Sequence, residues 1–163
     1  MAEMKEINYK EMKFNPFNLI GGEWMLVTAG NEQTGCNTMT ASWEHLGCLW
    51  GHNDPTAVIY LRPSRYTKKF VDEEPYFTLC VMDKSFKKQM AYLGSTSGRD
   101  EDKIAKNWPH ACLCRQHRLF RGSQVGAGLQ ENVCFRAIGK WFSLSGNHRR
   151  ELSPSRLPYY VRG

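Results

Sequence analysis

The chain is 163 residues long and 41% hydrophobic, enough for one domain with a real core. No apolar run approaches the roughly 18 residues of a membrane span, and the charged stretch from Met1 to Lys13 lacks a secretory signal, so a cytoplasmic protein with no membrane partner is expected. The formal net charge of +6 is unevenly spread: residues 1–106 hold 13 Lys+Arg against 14 Asp+Glu, while residues 107–163 hold 9 against 2.

In chain order, Asn15-Pro16-Phe17 reads as a loop entry and Gly21-Gly22 as a turn. Trp24 to Ala29 is short, apolar and partly β-branched, which predicts a buried strand. Asn37 to Trp43 follows as a Thr-rich strand, and Ala57 to Leu61 as a third, stopped by Pro63. Ser64 can cap a short helix from Arg65 to about Glu73. Tyr76 to Val81 predicts a fourth strand. Phe86, Met90 and Leu93 share one helical face. Ser97 to Asp100 is a loop, and a further helix begins at Glu101. Several short strands with few helices argue for a mainly β architecture, a barrel or a sandwich.

Three segments carry possible chemistry. The hydroxyl-dense strand from Asn37 to Ser42 can offer donors to a ring system or a phosphate, or can be a strand with one polar face. Arg62, Ser64, Arg65 and Thr67 surround a predicted helix start and form either an anion site or a capped surface helix. Ser97, Gly98, Arg99 and Lys103 combine close backbone approach with cations that can neutralise a phosphate, or simply begin a charged helix. No acid–base dyad is visible.

Taken together, the chain reads N-P-F-x-L-I-G-G-x-W-M-L-V-T-A-G from Asn15, then N-T-M-T-A-S-W from Asn37, R-P-x-R-Y-T from Arg62, F-T-L from Phe77 and S-G-R-D-x-D-K from Ser97. In that order and spacing it resembles the flavin reductase-like family of FMN-binding split β-barrels over residues 15–106. The resemblance implies bound FMN, a homodimer, and electrons received from NAD(P)H or exchanged with a redox protein. It implies an NAD(P)H-dependent oxidoreductase, the alternatives being a non-catalytic flavin-binding or electron-carrier protein and an inactive product. Carried over, Asn37, Thr38, Met39, Thr40, Ala41 and Ser42 would line the ring, largely through backbone groups. Arg62, Ser64, Arg65 and Thr67 would serve the ribityl-phosphate side, completed by Ser97, Gly98, Arg99 and Lys103. The chain departs from the family at Glu44-His45, where small residues are usual, and a bulky pair there can narrow the flavin face. Gly51 to Asp54 is also more polar than the family pattern.

From Asn107 onward no period of 2 or 3.6 is sustained, and Val133-Cys134-Phe135 is the one weak strand candidate. His110, Cys112, Cys114 and His117 imitate a zinc cluster, but four ligands within eight residues rarely close a tetrahedron, so no metal is expected. The six cysteines are expected to be thiols. The Arg-rich tail lacks the interleaved aromatics of a nucleic-acid binder, so no nucleic acid is expected. Read one base later, with permitted codons, Ala111 to Ala127 can give P-V-F-V-D-N-T-V-Y-F-E-E-A-K-L-V-L, which has strand periodicity. Arg156 to Gly163 can give D-Y-H-T-M-Y-V-G, a family-like ending. Residues 1–106 are therefore expected to form the N-terminal part of the barrel. Residues 107–163 are expected to be an out-of-frame tail, leaving the C-terminal part incomplete or irregular.

Overall fold

The computed structural model describes residues 10, 12–31, 33–48, 55–74 and 76–107, and the backbone of 111–114, 117–120, 134–138, 141–143 and 160–162; of 55 and 56 only the backbone is described. Chain order is β1 (Met25–Asn31), β2 (Gly35–Ala41), β3 (Glu44–Cys48), β4 (Pro55–Ile59), α1 (Thr67–Glu73), β5 (Tyr76–Val81), α2 (Lys87–Ser95), α3 (Lys103–Asn107), β6 (Ala111–Cys114), β7 (His117–Phe120), β8 (Cys134–Ile138), β9 (Trp141–Ser143) and β10 (Tyr160–Arg162).

Residues 25–30 of β1 are buried without interruption. A strand covered on both faces needs such an unbroken apolar run. It pairs antiparallel with β2 through Val27↔Met39 and with β5 through Val27↔Leu79. Side-chain alternation then divides the core in two. Met25, Val27 and Ala29 join Phe70 and Val71 of α1 and Ala57 and Ile59 of β4 on one side. Leu26 joins Cys80, Met90 and Leu93 of α2, and Ile104 of α3, on the other. The helical face predicted from Phe86, Met90 and Leu93 is therefore the one α2 buries.

A polar line crosses the sheet inside this apolar setting. The Thr28 hydroxyl donates to Thr38 Oγ1 at 2.8 Å, and the Thr38 hydroxyl donates to the Val27 carbonyl at 3.2 Å. Buried hydroxyls are tolerated because each finds a partner.

Several local expectations change. Gly21-Gly22 does not make a tight turn but sits in a π-helical turn, Asn18–Glu23. Trp24 then takes φ 71°, a left-handed value rare for a bulky residue. Lys87 sits over its indole, 3.3 Å from the ring centre, and donates to the Gly22 and Glu23 carbonyls at 2.6 and 3.1 Å. The Ser64 cap does not form. The Arg65 N–H bonds the Arg62 carbonyl at 3.0 Å, so the chain turns first and α1 starts two residues late, with no side-chain cap. β3 has no counterpart among the predicted strands.

The tail, expected to be incomplete or irregular, carries paired strands among its described residues. β8 joins the main sheet beside β5, with Leu79↔Phe135 in register, giving the order β2-β1-β5-β8. β6 pairs with β7 and β9 with β10. The weak candidate at Val133 to Phe135 thus marks a strand, extended to Ile138 by its partner's register rather than by its own pattern. The architecture is sheet-rich with short helices, as the sequence implies. The side chains of 110–117, including the zinc-like cluster, and the loop 51–54 lie outside the described residues. No helix among the described residues is long and apolar enough to cross a membrane.

Candidate functional site

The three chemistry-bearing segments converge. The Asn37 side-chain amide donates to Thr67 Oγ1 at 2.8 Å, tying β2 to the start of α1. Gly98 presses against both: a β-carbon there would lie 2.2 Å from Asn37 Oδ1 and 3.0 Å from the Tyr66 ring. Only glycine permits that approach. The Arg99 guanidinium stacks 4.9 Å from the Tyr66 ring centre and donates to the Ser64 carbonyl at 3.1 Å. Its backbone N–H donates to Ser97 Oγ at 3.2 Å.

Beside this junction lies an open cleft. Met39, Thr40, Ala41, Ser42 and Trp43, at the end of β2 and its exit, line it together with Tyr60, Arg62 and Arg65. The Thr40 hydroxyl donates to the Met90 carbonyl, which docks α2 on β2. Arg62 stacks 5.0 Å from the Trp43 ring centre, and Trp43 is 57% exposed. Two guanidinium groups and a hydroxyl-bearing strand in one cleft suit an anionic, ring-containing ligand.

Other predicted residues are placed differently. Thr38 is fully buried, its hydroxyl spent within the sheet. Lys103 is buried and donates to the Leu93 and Thr96 carbonyls, both at 2.7 Å. Arg65 Nη1 donates to the Gly94 carbonyl at 2.7 Å. Two cations therefore hold the C-terminal end of α2, where free carbonyls concentrate negative potential. Burial, reinforced by the Arg65 charge, lowers the Lys103 ammonium to about 8. Lys103 is thus engaged as an anchor of α2, and Arg65 links that anchor to the cleft.

Trp43 and Tyr60 are cleft residues that sequence reasoning leaves out of the site. Their positions gave a signal: Trp43 follows Ser42 directly, and Tyr60 precedes Arg62 by two. Glu44 and His45 do not act as one bulky pair. Tyr60 Oη lies 3.0 Å from His45 Nδ1, with the rings edge to face. Glu44 turns into the protein, 4% exposed, and neither carboxyl oxygen has a hydrogen-bond partner among the described residues. Burial pushes its carboxyl up to about 8. Among the described residues no His, Cys, Asp or Glu cluster could hold a metal, and Cys36, Cys48 and Cys80 are outside any disulfide.

The chain belongs to the flavin reductase like domain family, whose model matches residues 17–118. That match runs past residue 106, the boundary set by the sequence motifs. The fold is similar to that of an FMN-binding protein from Thermus thermophilus with bound 1-cyclohex-2-enone, at 17% identity and TM-score 0.61, covering 88% of this chain and 72% of that one. It is also similar to flavoredoxin from Methanosarcina acetivorans, at 17% identity and TM-score 0.54, covering 83% and 72%. Flavoredoxin of Desulfovibrio vulgaris (Miyazaki F) is 28% identical over 51% of this chain, with TM-score 0.46, and the chain spans only 44% of its length. No curated protein matches.

Proposed function

We propose that the protein is an FMN-binding oxidoreductase of the flavin reductase type, passing electrons from NAD(P)H or a protein donor to flavin. The observation that carries this reading is the junction of Asn37, Thr67 and Gly98, which gathers all three motif segments beside one cleft. The residues present fit the cofactor. Met39 to Ser42 supply cleft surface for a flat ring, and Arg62 and Arg65 line the same cleft with positive charge suited to a phosphate. Arg99 extends that charge at the Ser64 turn.

Bound FMN would supply the electron-transfer chemistry, and the protein its placement and electrostatics. Met39 to Ser42 hold and orient the ring. Arg62 and Arg65 neutralise the phosphate end, Arg65 from a position fixed by Gly94. Trp43 and Tyr60 line the same cleft and add aromatic surface to it. A homodimer in the cytoplasm is the setting proposed for this activity. For residues 107–163 the proposal remains a shifted reading frame, supported by their basic excess and aperiodic sequence; sequencing the gene around codon 107 tests it.

The purified protein is expected to show the absorbance of bound flavin and to oxidise NAD(P)H with added FMN. A bound yellow chromophore without such turnover would favour the non-catalytic carrier. Arg65→Ala should lower FMN affinity by about 1.5–3 kcal/mol, through loss of a charge-assisted contact. A titration that finds its affinity within twofold of wild type counts against the assignment.

A further inference from the structure

One buried group has no role in the flavin site as drawn. Glu44 stands opposite Ile59 in the antiparallel β3–β4 pair, so the two side chains share a face. Ile59 is 2% exposed and lies in the core cluster. That face is apolar: Ala57 and Ile59 come from β4, and the cluster behind them draws on β1, β2, β5 and α1. Of the described hydrophobic residues packed against that cluster, Tyr66 is the one that carries a titratable group. His45 and Tyr60 pair with each other on the opposite face. β10, which carries Tyr160 and Arg162, lies against β4. A carboxyl group in this setting, with neither oxygen bonded among the described residues, is far more costly charged than neutral.

Its position in the hairpin gives this a consequence. Glu44↔Ile59 is the last rung of the β3–β4 pair. The chain on either side runs straight into cleft residues: Ser42 and Trp43 precede Glu44, and Tyr60 follows Ile59. We propose that Glu44 is a pH-operated latch on the cleft, closing the hairpin's last rung as a neutral acid and, on losing its proton to water, leaving the core and displacing Trp43 and Tyr60. The cleft-gating part rests on the flavin reading above; the latch itself does not.

The sign follows from the raised carboxyl. The folded protein holds a proton that the unfolded chain releases at about 4.5. This contribution to stability is therefore complete below about 4.5 and is lost as pH rises to about 8. Above that the latch is open.

Three measurements on the full-length protein test it. Without added ligand, the infrared carbonyl band of a protonated carboxylic acid is expected near neutral pH, lost with a midpoint near 8, and missing from Glu44→Gln at neutral and higher pH, where the other carboxyls are ionised. A wild-type protein without the band, or a variant that keeps it, overturns the proposal. Near-ultraviolet circular dichroism should change over the same range in wild type and stay constant in Glu44→Gln; identical traces overturn the displacement. With FMN as the probe, wild-type affinity should fall about tenfold per pH unit above the midpoint, while Glu44→Gln shows no such step. Parallel curves overturn the gating. If FMN binds neither protein at any pH, the flavin reading fails, and the infrared and dichroism arms still decide the latch. Glu44→Met, neutral and apolar, serves as second variant should Glu44→Gln fail to fold.

Discussion

Gly30→Ala is expected to cost about 3–6 kcal/mol, enough to unfold a domain of ordinary stability. Gly30 ends the buried stretch of β1 at φ 107°, where side-chain-bearing residues are strained. Space is lacking as well. A β-carbon would lie 2.2 Å from the Gly35 carbonyl oxygen and 2.5 Å from Cys36 Cα, both backbone atoms of the paired strand. They cannot move aside without breaking the Gly30↔Cys36 register. Loss of the hairpin would uncover both core clusters, since β1 serves each. Urea unfolding, or soluble yield if the variant does not fold, measures the effect. Gly21→Ala, where nothing lies within 4 Å of the added carbon, is the matched control. A Gly30→Ala protein within about 1 kcal/mol of wild type would show that the turn tolerates rebuilding.

Gly98→Ala should weaken FMN binding by about tenfold or more while costing roughly 1–3 kcal/mol of stability. The added methyl meets the Asn37 carboxamide, which cannot swing away freely because its amide is bonded to buried Thr67. Retreat is blocked on the other side by the Tyr66 ring, which carries Arg99 on its face. The loop must therefore lift, taking Arg99 out of line with Arg62 and Arg65. FMN titration by fluorescence quenching and urea unfolding on the same preparation separate the two effects. Unchanged affinity with reduced stability would make the junction a packing feature with no part in ligand placement.

Much of the fold was legible because its strands are apolar runs with clear breaks. Tyr76 to Val81 appears in the structure with the predicted bounds, and β1 lies within a residue or two of them. The three site segments were legible as sets of hydroxyls, glycines and arginines in a family order. Their individual roles were not. Lys103 and Arg99 look alike on paper, yet one is buried on the carbonyls ending α2 and the other stacks on an exposed turn. Only tertiary contacts separate them. β3 was missed because Glu-His-Leu-Gly-Cys has no strand-like alternation of apolar and polar residues; pairing with β4 makes it a strand. Glu44 defeated pattern reading for the same reason, since a charged residue at a core position is a rare exception to burial preference.

The main sheet ends at β2, whose residues Gly-Cys-Asn-Thr-Met-Thr-Ala include neither a charge nor a proline. Edge strands usually carry such residues to discourage pairing with other molecules. Here the last three residues of β2, Met39 to Ala41, line the cleft. A lysine or proline placed there to guard the edge would spoil the surface proposed to receive the flavin. On the flavin reading, a ligand in the cleft would also shield this part of the strand. If the cleft binds flavin as proposed, the protein without flavin is expected to aggregate faster than the loaded protein when the two are compared by light scattering.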